Sequence, residues 1–96
     1  MKIDAVIDEE DRKWRSKSFE ELQSLKGEDQ LYFVQQGTSR FQFEVSTKQG
    51  KSPDEIIVTI ECSKDTLLGR FFFGRATFFA RGRSTGIREI EGDEAW

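Results

Sequence analysis

Histidine is absent from this chain, and cysteine, proline, methionine and tyrosine occur once each. The lack of histidine removes the commonest general base, the commonest metal ligand and the side chain that titrates near neutral pH. A lone cysteine rules out an intrachain disulfide and, without histidine, a cysteine–histidine nucleophile pair. No apolar run approaches the 18 or more residues that span a bilayer, and no basic-then-apolar leader opens the chain. The expectation is a soluble, cytoplasmic protein with no membrane, metal or cofactor partner.

Against these absences stand nine phenylalanines and two tryptophans in 96 residues. Each aromatic buries roughly 150 to 250 Å², so a real core is within reach although only 35% of residues are hydrophobic. The length suits one domain and leaves no room for a second core. The formal net charge of −3 conceals a pattern. Residues 64 to 88 hold six basic side chains against Asp65 alone, and residues 89 to 96 hold four acids and no base. Local clusters of this kind set the field a partner feels within about 8 to 10 Å at physiological salt.

At the amino terminus, Ile3, Ala5 and Ile7 alternate as in a strand, while Ile3, Val6 and Ile7 also fit one helical face. Acids Asp8 to Asp11 preceding Arg12, Lys13 and Arg15 complement a helix dipole, which predicts a turn or two of helix. Ser18 and Glu21 have capping-box spacing, and Phe19, Leu22 and Leu25 precede Gly27, which predicts a short helix over 18–26. From residue 30 the period becomes two. Leu31 to Val34, then Phe41 to Thr47, then Ile56 to Cys62 read as strands separated by polar turns. In Arg70 to Arg83, Phe72, Gly74, Ala76, Phe78, Ala80 and Gly82 share one parity. Phe71, Phe73, Arg75, Thr77, Phe79, Arg81 and Arg83 share the other. The small parity suits close packing under a helix. Its survival beyond Gly74 favours one long strand, bulged near that glycine, over a Gly74-Arg75 hairpin. Ile87 to Glu91 is a candidate edge strand. Short connections make successive strands antiparallel. The expected fold class is therefore α+β: an amino-terminal helical region on a four- or five-stranded antiparallel meander, residues 1–91, followed by an acidic tail, 92–96.

Three constellations bear on function. Arginines alternating with phenylalanines on one strand nominate Phe71, Phe73, Arg75, Phe79, Arg81 and Arg83 as contacts for a protein partner or a second copy. The same features permit single-stranded nucleic acid, with Arg70, Arg75, Arg81 and Arg83 on phosphates and Phe71 and Phe73 under bases. The plain alternative places these phenylalanines in the core and the arginines at its rim, paired with acids. The acidic end supplies Glu91, Asp93, Glu94 and Trp96. It folds back on the arginines, docks as a linear motif anchored by Trp96, or frays. Cys62, ending a row of Ile and Val, reads as a small buried hydrophobe. Adjacent acids such as Glu9-Glu10 and Asp54-Glu55 point to different faces. Ser52-Pro53 reads as a turn. A small-ligand pocket or histidine-free hydrolase has no positive support. The expectation is a non-enzymatic interaction module without cofactor or metal.

Overall fold

A computed structural model describes residues 3–65 and 71–96, with only the backbone for residues 65 and 71–73. Two helices, α1 (Ile3–Arg15) and α2 (Phe19–Ser24), precede four strands, β1 (Gln30–Gln36), β2 (Ser39–Gln49), β3 (Glu55–Asp65) and β4 (Phe71–Gly82). A short strand β5 (Gly86–Glu89) and a helical turn α3 (Gly92–Ala95) complete the order. The strands form one antiparallel sheet in sequence order, β1-β2-β3-β4-β5, which is the α+β meander expected.

The ambiguous start is helical because Ile3, Val6, Ile7, Glu10 and Trp14 fall on one stripe, and that stripe is buried. Helix α2 begins at the predicted capping box: the Ser18 hydroxyl accepts from the Glu21 N–H, and the Glu21 carboxylate accepts from the Ser18 N–H. Helix α1 crosses β3 and β4, and α2 lies on β3. Beneath them Phe41, Phe43 and Val45 of β2, Ile56, Val58, Ile60 and Cys62 of β3, and Phe79 of β4 close the core. Phe41, Phe43 and Phe79 are fully buried, so truncating any one to Ala costs about 3 to 5 kcal/mol.

Residues 71–82 form one strand, as the parity predicts, and the β3–β4 register shifts where Ser63 faces Gly74 and Asp65 faces Phe71. Because Val58 pairs with Phe79, the residues Arg75, Thr77, Phe79 and Arg81 of β4 lie on the side of the amino-terminal helices. Gly74, Ala76, Phe78 and Ala80 lie on the opposite side of the sheet. The small residues of that side do meet a helix at one end, but that helix is α3, where Gly92 lies against the Phe78 ring and Ala80 and Ala95 are buried. The segment expected as a tail therefore contributes a packed helical turn, because Ala95 is buried and Glu94 meets Arg88 and Lys51.

Candidate interaction surface

The arginine-rich strand is used internally. Phe79 is inaccessible, which withdraws it from any contact surface. The Arg15 guanidinium stacks 4.7 Å from the Phe79 ring centroid and pairs with Asp11 at 2.7 Å and Glu89 at 2.6 Å. Arg83 repeats the arrangement: its guanidinium lies 4.5 Å from the Phe19 ring, and its Nε donates to Asp54 at 2.9 Å. Each arginine seals one border of the core with its flat face while its edge meets a carboxylate. Arg75 pairs with Asp4 across an exposed gap of 3.1 Å. Arg81 is half-buried on the core side of β4, and its Nε is buried with no hydrogen-bond partner among the described residues. Arg70 and the side chains of Phe71 and Phe73 lie outside the described residues.

The acidic end meets the basic region at Arg88. That guanidinium donates to Glu55 at 2.9 Å and to Glu94 at 2.5 Å, and the Lys51 ammonium adds to Glu94 at 3.4 Å. Hydrogen bonds from Arg88 hold both carboxyls below the ordinary carboxylate range, and those acids in turn raise the Arg88 guanidinium. Glu94 thus clamps α3 to the sheet. Glu91 and Asp93 point to solvent. Trp96 is 66% exposed, and its carbonyl accepts from Lys48 at 3.4 Å.

A buried polar chain joins α1 to β1. The Trp14 indole donates to the Tyr32 hydroxyl at 2.9 Å, that hydroxyl donates to Glu10 at 3.0 Å, and Lys13 donates to the other Glu10 oxygen at 2.9 Å. Glu10 is only 5% exposed, so these two bonds keep a buried carboxylate satisfied. Burial and the Glu10 contact raise the Tyr32 hydroxyl, and burial pushes the Cys62 thiol up to about 11. A thiol so buried and so weakly acidic is a packing group, as its position in the row of Ile and Val implies. Among the described residues no cluster of three potential metal ligands occurs, and no helix is long and apolar enough to cross a membrane.

The surface left open lies on the side of the sheet away from α1. Its floor is Gly74 and Ala76 of β4 with Ser63 and Glu61 of β3 and Gln42 and Glu44 of β2, which enclose a shallow cavity of about 330 Å³. Glu44 and Glu61 face each other directly across the β2–β3 ladder. Partial burial, with Asp29 and Glu61 beside it, raises the Glu44 carboxyl above its ordinary value. At the border of this face, Leu31 is 60% and Phe33 49% exposed on β1, the outermost strand. The Arg40 guanidinium lies 4.6 Å from the Phe33 ring.

The residues nominated from the sequence lie on β4, just beyond it at Arg83, and at the acidic end in Glu91, Asp93, Glu94 and Trp96, and none lies on β1. A signal existed, because a meander leaves its first and last strands as edges, and residues 30–36 contain no charge and no proline. No family model matches the chain, and neither curated proteins nor solved structures show significant similarity to it.

Proposed function

We propose that this chain is a non-enzymatic interaction domain that binds protein by strand addition at the open edge of β1. One observation carries the reading. Edge strands are ordinarily guarded by charge, proline, a bulge or brevity. Here seven residues, Gln30–Gln36, have none of these guards and expose Leu31 and Phe33. An extended partner would gain main-chain hydrogen bonds along the edge and seat alternate side chains against those two residues. The other edge, β5, is four residues long, and Glu89 at its end is engaged by Arg15.

This relocates the contact surface from the arginine and phenylalanine strand to the opposite edge of the sheet. Phe79 is buried, and Arg75, Arg83 and Arg88 each meet a carboxylate within the chain. The same pairing takes support from a single-stranded nucleic-acid reading, since phosphates would have to displace those acids.

The test is titration of the isotopically labelled chain with a synthetic peptide of residues 29–37. Amide shifts confined to β1 and its neighbour β2 are the expected result. An unperturbed spectrum at about 1 mM peptide, beyond which binding would be weaker than about 4 kcal/mol, overturns the proposal.

A further inference from the structure

Resting on that reading, we infer that the occupant of the edge is a second copy of this chain, paired β1 to β1 in antiparallel sense about a two-fold axis at Phe33. Hairpin geometry fixes which backbone groups are available. Gln36 pairs with Ser39 across the two-residue loop Gly37-Thr38. Gly37 has φ +60 while Thr38 does not have a positive φ, which is the pattern of a type II′ turn. In such a hairpin the pair flanking the loop exchanges hydrogen bonds, and the alternation runs back along the strand. Gln36, Val34, Tyr32 and Gln30 therefore bond inward to β2. Leu31, Phe33 and Gln35 present their N–H and C=O groups outward, and their side chains are the exposed ones.

A two-fold at Phe33 sets Phe33 opposite Phe33, Leu31 opposite Gln35 and Tyr32 opposite Val34. These three outward residues supply about six backbone hydrogen bonds to the ladder. No charged side chain lies between Gln30 and Gln36, so no like charges meet at the dyad. The exposed rings and leucines of the two copies merge into one apolar band on the face away from α1.

Charge flanking the band favours the antiparallel sense. One end of that face carries Asp29 with Glu44 and Glu61, and an antiparallel two-fold sets the two acidic clusters at opposite ends of the contact, so these like charges do not face each other. Two-fold pairing consumes β1 in both copies and leaves only the short β5 edges, so the assembly closes as a dimer instead of growing into a filament. The contact belongs to the small class, under about 1,200 Å² in total, so the dimer is concentration-dependent.

Sedimentation velocity on the full chain over a wide concentration range tests this, with the mass rising from 11.1 kDa toward twice that value. Phe33→Lys puts two ammonium groups across the dyad and is expected to weaken the dimer by about tenfold or more. Phe33 is half-exposed in the single copy, so circular dichroism should show that variant folded. Register is read by oxidative cross-linking: Phe33→Cys is expected to link to itself, because hydrogen-bonded pairs lie about 5.5 Å apart at Cα, within disulfide range. Leu31→Cys and Gln35→Cys should each resist linking alone and link when mixed.

A folded Phe33→Lys variant that dimerises like the parent, or a Leu31→Cys variant that links to itself faster than it links to Gln35→Cys, overturns the inference. A strict monomer that still takes up the peptide of residues 29–37 also overturns it while leaving the edge open to another strand. A strict monomer that ignores the peptide ends both proposals.

Discussion

Tyr32→Phe removes a single oxygen, yet that oxygen accepts from Trp14 and donates to Glu10 inside the molecule. The substitution strands a buried indole N–H, at about 1 to 3 kcal/mol. It also deletes a hydrogen bond to a carboxylate, of the class worth about 1.5 to 3 kcal/mol. Lys13 still holds the other Glu10 oxygen, so the carboxylate stays partly satisfied and the sum falls short of both upper limits. The ring itself keeps its stack on Phe43, with centroids 5.5 Å apart, so no cavity opens. The expected loss is about 2 to 4 kcal/mol, a large share of the 5 to 15 kcal/mol that domains ordinarily possess. Urea unfolding should show the midpoint falling with little change in slope, since the surface exposed on unfolding is unaltered. The companion variant Trp14→Phe, and the double variant, complete a cycle in which the two losses are less than additive. A Tyr32→Phe midpoint within about 0.5 kcal/mol of the parent would refute the reasoning, because it would mean that water serves these groups equally well.

Two further predictions follow from the ionisable groups. Arg88 holds Glu55 and Glu94 below the ordinary carboxylate value of 4.5, so the docking they provide is complete above that pH and is lost as pH falls through the lowered values. Acidification should release α3 before the core melts, seen as the Ala95 methyl losing its buried shift while Val45 methyls keep theirs; simultaneous loss of both would contradict the clamp. Cys62, 1% exposed with its thiol raised to about 11, should react with a thiol reagent at pH 8 only as fast as the chain opens. Labelling at the rate of a free thiol would show the row of Ile and Val to be open.

Much of the architecture could be read from the sequence because its signals are local. The capping box at Ser18 and Glu21, the alternation of Phe41 to Thr47 and of Ile56 to Cys62, and the parity of Arg70 to Arg83 each depend on neighbours a few residues apart. Which face of β4 meets α1 is a different matter. Both parities carry phenylalanine, and only the pairing of Val58 with Phe79 decides which is inside. The same holds for charge. The contrast between the basic strand region and the acidic end was visible, but the meeting of Arg88 with Glu55 needs the register of two hairpins. The chain from Trp14 through Tyr32 to Glu10 was invisible apart from the Glu10–Lys13 spacing, since its hydroxyl comes from a strand 18 residues beyond the indole. The exposed edge went unremarked for a subtler reason. Leu31 to Val34 has the composition of an interior strand, and its exposure follows from its position in the meander.

Whether the outward backbone of β1 is a binding edge is tested most directly by amide spectra recorded over a dilution series of the labelled chain. The expected result is concentration-dependent shifts and slowed hydrogen exchange at Leu31, Phe33 and Gln35, with Arg75, Arg81 and Arg83 unmoved. Shifts centred on β4 while those three β1 amides exchange freely at every concentration would contradict it.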